Sequence, residues 1–352
     1  MGKINVAIAG VGSFTKALVE GVSYYTKNPN DYTGLLHPQI GEYSIGDINF
    51  VCAFDVDDRK IGKPLHEAIG LGMNITREID KPIEYDAIVY RGPTLDGVIE
   101  QMKDTFVFES SKEAEDVVKI LKEKKVDVLV NLVPSGSDEA TFFYAQKALE
   151  AGCNFINCIP TPLATVDEWR SKFEEKGLVV LGDDTKSQLG ATMLNRFLLQ
   201  ILQMRGIKVT QVEQHNKGGN ADHFNLRYRS ASKEKSKSST LSKFLDISGA
   251  VKPIVTFEYT DSPSGHKLVE LKVEGEMFGK IPITINAQIE DEISINGAST
   301  AVDAIRVAKF LQDTGKQKLA PEVCPFLMKT TSVGYDDIQA NEVFSKIIRK
   351  SE

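Results

Sequence analysis

The feature that most limits how this chain can fold is an apolar run that ends in glycines. Residues 4–9, Ile-Asn-Val-Ala-Ile-Ala, run straight into Gly10-Val11-Gly12-Ser13-Phe14-Thr15, and a helical pattern follows over residues 16–25. A strand, a Gly-x-Gly turn and a helix in that order form a cradle for a phosphate group. The glycines let the backbone approach the anion, and the helix N-terminus supplies N–H donors and partial positive charge. Thr15 stands where a third glycine is usual, so the turn departs from the full fingerprint.

The next apolar strand, residues 48–54, ends in Asp55-Val56-Asp57. A carboxylate at that position accepts hydrogen bonds from ribose hydroxyls and repels a 2′-phosphate, which favours NAD over NADP. Asp55 follows Gly10 by 45 residues, against about 20 in the usual unit. The excess is residues 26–46, a polar insertion rich in Gly, Pro and Tyr, expected either to pack near the site or to form a subunit contact.

Strand and helix patterns keep alternating. Strands are expected at 85–90, 126–132, 154–159 and 178–181, with helices at 111–124, 138–151 and 166–176. This alternation predicts an α/β domain, a Rossmann-type doubly wound parallel sheet. Ligands of such sheets bind beyond the carboxyl ends of the strands. Two loops there stand out: Val133-Pro134-Ser135-Gly136-Ser137 and Gly182-Asp183-Asp184-Thr185-Lys186-Ser187-Gln188. The second precedes a helix expected at 191–204 and packs two carboxylates, a lysine and a hydroxyl into five residues. Asp and Ser are also the usual helix caps, so the stretch is read as both cap and site.

After residue 204 the pattern changes. Strands at 208–214, 254–259, 267–274 and 281–290 with short connections predict a second α+β domain carrying a mostly antiparallel sheet, and a helix at 299–312 is expected to return to the first domain. The division is therefore 1–190 plus 298–352 for dinucleotide binding and 191–297 for catalysis and oligomerisation. Residues 325–329 are expected to end a loop. Between the strands lies Ser232-Lys233-Glu234-Lys235-Ser236-Lys237-Ser238. A Lys/Ser run is usually a solvated loop. It also suits a flap that carries ammonium groups onto an anionic substrate, since Lys233 and Lys237, four apart, would share a helix face.

Composition narrows the function. With 352 residues, 41% hydrophobic and 26% charged, the chain can build two soluble domains. A net charge of −7 argues against a general nucleic-acid binder. Cys52, Cys153, Cys158 and Cys324 lack the spacing of a zinc site, and Cys52 and Cys153 sit in apolar surroundings as reduced core thiols. No leader and no apolar run long enough to span a membrane is seen, so a cytoplasmic protein is expected.

These motifs together resemble the inositol-phosphate synthases, in particular the shorter prokaryotic and archaeal members. The resemblance rests on Gly10-Val11-Gly12, Glu20-Gly21-Val22-Ser23-Tyr24-Tyr25, Phe54-Asp55-Val56-Asp57, Arg91-Gly92-Pro93-Thr94-Leu95-Asp96-Gly97, the Gly182–Gln188 stretch, Gly219-Asn220-x-Asp222 and Ser232-Lys233-x-x-Ser236-Lys237. It implies conversion of D-glucose 6-phosphate to inositol 1-phosphate with NAD and no net redox change. The steps implied are oxidation at C5, enolisation at C6, aldol closure onto C1 and reduction by the same cofactor.

Residue by residue, the resemblance implies that Lys233 and Lys237 are flap lysines and that Lys267 and Lys329 complete the catalytic set. It makes Asp184 and Lys186 an acid–lysine pair near C5. Gly10, Gly12, Ser13, Phe14, Thr15 and Asp55 would hold the cofactor, with Ser135 in the loop beyond the sheet. Tyr144, Ser187, Asp222 and Asp303 would line the nicotinamide and substrate. A divalent metal ion or a monovalent cation (ammonium or potassium) is left open, with Asp184, Asp222 and Asp303 as candidate ligands. A homotetramer is implied. The alternatives are a dehydrogenase of a sugar or polyol phosphate that releases NADH, and a non-catalytic NAD-binding sensor. Four separated lysines favour the cyclase, because hydride transfer alone needs one proton acceptor.

Overall fold

The computed structural model describes residues 2–229, 251, 253–260 and 263–349. Strands β1 (Ile4–Ala9), β4 (Ile48–Asp55), β5 (Ile88–Arg91), β6 (Val128–Asn131), β7 (Asn154–Asn157) and β8 (Val180–Leu181) form one parallel sheet in the order β5-β4-β1-β6-β7-β8. Between them lies the small hairpin β2 (Gln39–Ile40) and β3 (Tyr43–Ser44). The chain moves outward from β1 on one side and from β6 on the other. A crevice therefore opens between the carboxyl ends of β1 and β6, where such sheets bind ligands.

The alternation of side chains along a strand explains both layers. Ile4, Val6 and Ile8 face a core shared with Leu18 and Val22 of the helix Ser13–Lys27 and with Ala301, Ile305 and Ala308 of the helix Ile293–Asp313. Ala7 and Ala9 face the opposite core with Leu121, Ala145 and Leu149. Covered on both faces, the strands read as continuous apolar runs, as a parallel sheet requires.

The second sheet holds β9 (Lys208–Gly218), β10 (Ile254–Tyr259), β11 (His266–Glu276) and β12 (Pro282–Glu292) in the order β10-β9-β11-β12. The pairs β9–β11 and β11–β12 are antiparallel, and β10 adds to β9 in parallel. The helix Ala191–Met204 lies on it, packing Leu199 and Leu202 against Val212 and Val273, and Ala191 against Val269 and Leu271.

Several expectations change. The helix expected at 111–124 is only Val117–Glu123. Asp116 caps it by accepting from Lys119 N at 3.1 Å, and Glu115 N is bonded to Arg91 O at 2.8 Å, which keeps the preceding residues out of the helix. The helix expected at 299–312 begins earlier, as Ile293–Asp313, and runs unbroken across residue 297. Residues 325–327 are not loop but the end of a helix, Ala320–Leu327, that contains Pro325. Three helices, Leu65–Ala68, Ala221–Arg229 and Asp337–Ile348, have no counterpart among the expected elements.

The insertion at 26–46 packs on the helix Ile293–Asp313. Arg306 donates to His37 O at 2.7 Å and Pro38 O at 3.1 Å, and the Tyr43 hydroxyl bonds to Asp313. It makes no part of the cavity lining described next.

Candidate active site

The Gly-x-Gly turn crosses the exit of β6 at close range. Gly10 has φ +95°, and a Cβ there would fall 2.6 Å from Leu132 O, so only glycine fits. Asp55 holds the turn from the neighbouring strand: its carboxylate accepts from Val11 N at 2.7 Å, and also from Val56 N at 2.7 Å and Asp57 N at 2.9 Å. Lys60 Nζ donates to Val11 O at 2.6 Å. Thr15 Oγ1 donates back to Gly10 O at 2.6 Å, which accounts for a hydroxyl residue at the position of the third glycine. Gly12 is the N-cap of the helix Ser13–Lys27 and offers no side-chain cap, so the first-turn N–H groups face the crevice. These features fit a dinucleotide pyrophosphate.

Residues 183–186 pair through backbone hydrogen bonds with residues 327–330, about an isolated antiparallel bridge between Thr185 and Met328. Asp183 N donates to Thr330 O at 2.9 Å, Thr330 N to Asp183 O at 3.0 Å, Lys329 N to Asp184 O at 2.7 Å, and Lys186 N to Leu327 O at 2.9 Å. The cap half of the sequence reading is corrected here. The helix Ala191–Met204 is N-capped by Gly190, without a side-chain bond, and none of Asp183, Asp184 or Ser187 caps it.

The two adjacent aspartates have different work. The Asp183 carboxylate accepts from Asn157 Nδ2, Leu163 N, Ala164 N, Thr165 N and Thr165 Oγ1, between 2.8 and 3.2 Å, and so fixes the loop after β7. Burial pushes its carboxyl up, and these donors oppose that. Asp184, held at φ 63°, turns into the crevice, where its Oδ1 meets Lys329 Nζ at 2.7 Å. Lys186 is not Asp184's partner, contrary to the pairing implied by resemblance. It points the other way, with Nζ 2.7 Å from Asp337 Oδ1 and bonded to Pro325 O. Burial, foremost, holds its ammonium below the usual lysine range, against the pull of Asp337.

A cavity of about 250 Å³ joins these groups. Gly12, Ser13 and Phe14 form its wall on the dinucleotide side, with Ser135 from the loop after β6. Asp184, Lys186, Ser187 and Lys329 line the centre, and Lys267 and Asp222 enter from the second domain. Lys267, at the start of β11 opposite Gly218, is buried. Ser135 Oγ donates to Asp222 Oδ1 at 3.2 Å, and Asn225 Nδ2 to Ser135 O at 2.8 Å, so the helix Ala221–Arg229 docks directly on the first domain's loop.

Gly10, Thr15 and Asp55 stand immediately behind this wall. Two further expected site residues do not line the cavity and lie farther from it. Tyr144 is buried beneath Gly92, packed on Phe54 and Phe143, and burial pushes its hydroxyl up. Asp303 lies further along the helix Ile293–Asp313, between His37 Nδ1 at 2.6 Å and Arg306 Nη2 at 2.5 Å. Its separate position means that Asp184, Asp222 and Asp303 do not converge, and among the described residues no group of three His, Cys, Asp or Glu side chains is gathered for a metal ion. Lys233 and Lys237 lie outside the described residues.

Sequence reasoning missed Arg196, Asp337 and Thr192, which also line the cavity. A lone Arg in the apolar run Thr192-Met193-Leu194-Asn195-Arg196-Phe197-Leu198-Leu199 was a usable signal. For Asp337 the signal was slight, a second acid after a cap-like aspartate.

Residues 190–292 match the family model described as myo-inositol-1-phosphate synthase. The chain is 40% identical to the inositol-3-phosphate synthase of Mycolicibacterium smegmatis over 94% of its own length and 93% of that protein's. It is 38% identical to the inositol-3-phosphate synthase of Corynebacterium glutamicum, covering 96% of each. Among solved structures, that of Ari2 superposes with a TM-score of 0.80 at 29% identity, covering 98% of both chains. With the dinucleotide turn, the lysine-lined crevice and this identity over nearly its whole length, the chain belongs to the myo-inositol-1-phosphate synthase family.

Proposed function

We propose that this protein is an inositol-3-phosphate synthase that converts D-glucose 6-phosphate to 1L-myo-inositol 1-phosphate (1D-myo-inositol 3-phosphate). The observation that carries the reading is that one crevice beside a dinucleotide turn gathers Asp184, Lys186, Lys267 and Lys329 from three separate stretches. A dehydrogenase needs a single proton acceptor, whereas a cyclase must also stabilise an enolate at the C5 oxygen and an alkoxide at the C1 oxygen.

NAD bound at the Gly-x-Gly turn would serve as hydride acceptor at C5 and, once reduced, as donor in the last step. The Asp184–Lys329 pair is read as the relay that takes the C5 hydroxyl proton on oxidation and returns it on reduction. Lys186 and Lys267 are read as the cations that stabilise the oxygens during enolisation at C6 and attack on C1. Lys233 and Lys237 are assigned the flap role by resemblance. The N-terminus of the helix Ala191–Met204, with Ser187 and Thr192 beside it and no side-chain cap, suits the substrate phosphate.

The division proposed is 1–190 with 298–352 for cofactor binding and 191–297 for catalysis and assembly. A homotetramer is proposed, supported by the exposed apolar side chains Ile254, Phe278 and Ile281 on or beside the second sheet. A cytoplasmic site of action is also proposed; no helix among the described residues is long and apolar enough to cross a membrane.

Phosphorus NMR of the protein with glucose 6-phosphate and substoichiometric NAD, with absorbance followed at about 340 nm, tests the function. Many turnovers to an inositol phosphate without accumulating NADH are expected. NADH formed in step with substrate loss would instead identify a dehydrogenase.

A further inference from the structure

The last described helix reaches the cavity through one side chain. Asp336 caps that helix: its Oδ1 accepts from Ile338 N at 2.9 Å and Gln339 N at 2.8 Å, and Gln339 Oε1 accepts from Asp336 N at 3.3 Å. The capping is thus complete without Asp337, whose carboxylate turns inward and is buried. Its Oδ1 lies 2.7 Å from Lys186 Nζ, and its Oδ2 lies 3.0 Å from Arg196 Nε. The second contact is an ion pair and not a directed hydrogen bond, because the Nε–H does not point along it. Two cations, both buried, therefore share one carboxylate, leaving a net positive charge on the cavity wall.

We propose that Asp337 is a positioning residue for the reaction, which keeps Lys186 charged and aimed from the cavity wall, with Arg196 holding the carboxylate from its other side. This rests on the cyclase reading given above. Three observations support it. Lys186 has Pro325 O and Asp337 as its named partners, so removing the carboxylate leaves one carbonyl to orient it. Arg196 and Lys329 both stand near enough to disfavour a charge on Lys186, and Asp337 is the anion that opposes them. A buried ammonium next to cations, stripped of its anion, releases its proton readily.

The test compares wild type with Asp337→Asn, Asp337→Glu and the neighbouring Asp336→Asn, in glucose 6-phosphate turnover as a function of pH. Thermal melting and NAD titration are run on each. Wild-type turnover in the same assay checks the cyclase reading by itself. With that in hand, Asp337→Asn should lower kcat on the order of 10²-fold. The alkaline limb of its profile should move down by at least about one pH unit, with NAD affinity kept. Asp337→Glu should restore part of kcat and bring the limb back. Asp336→Asn, which keeps a good cap, should leave both unchanged. A folded Asp337→Asn with wild-type kcat and limb would overturn the proposal. So would equal losses in the Asn and Glu variants with the limb unmoved, since that pattern marks a packing role alone.

Discussion

Asp184 and Lys329 stand 2.7 Å apart across 145 residues of sequence, joined both by their side chains and by the bond from Lys329 N to Asp184 O. The backbone bond sets the register of the two segments, and the register brings the carboxylate to the ammonium. Both side chains border the crevice beside the dinucleotide turn. A residue pair built this way can pass a proton without either group having to move far.

Lys329→Ala should therefore lower kcat by about 10²–10⁴-fold, the range for a lost proton-transfer group. NAD affinity should stay close to that of wild type, because the Gly-x-Gly turn does not touch Lys329. Steady-state kinetics with a cofactor titration decides it, and equal loss of both would contradict the role.

Asp55→Ala should have the opposite signature. The carboxylate braces Val11 N in the turn and stands at the end of β4, where a ribose is expected. Removing it should weaken NAD binding by at least about tenfold, roughly the value of one charge-assisted hydrogen bond. Calorimetric titration checks this. An unchanged affinity would remove Asp55 from the cofactor site.

Asp183→Ala should chiefly destabilise. Five donors converge on this buried carboxylate, and deleting it leaves several of them without a partner inside the protein. The expected loss is about 3 kcal/mol or more, from neutral donors left unsatisfied in the interior, read from denaturant unfolding. A variant as stable as wild type but inactive would instead place Asp183 in the chemistry.

The four cysteines should be silent in the native state. Cys52, Cys153, Cys158 and Cys324 are all buried, and burial pushes each thiol up to about 12. At pH 8 almost none is thiolate, the reactive form. A thiol reagent should find no fast-reacting group in the native protein and all four after denaturation. Rapid labelling of Cys158, which borders the cavity, would show that the crevice opens further in solution.

Much of the fold was legible because its signals are local. The helices Asp138–Ala151 and Ala191–Met204 and the strands Ile4–Ala9 and Ile254–Tyr259 were read with the bounds they have. The helix Ala221–Arg229 was not, because it is short and Leu226 is its only buried aliphatic side chain. Its helicity comes from docking on Ser135 and Gly136, contacts that residue spacing does not reveal. Asp303 was misplaced for the same reason: its neighbours on the site-facing helix are near in sequence, but its carboxylate meets the insertion residue His37.

By itself the sequence determined the periodicities, the glycine turn that only glycine can make and the acid that closes β4. Each of these depends on a few consecutive residues and the stereochemistry of the backbone. The pairing of charges in the crevice was decided only by tertiary structure. Lys186 sits two residues from Asp184, yet in the pairing with residues 327–330 it points to Asp337, and Asp184 takes Lys329 instead. Partners at separations of 145 and 151 residues are chosen by register and burial, which act only once the C-terminal segment has packed back on the first domain.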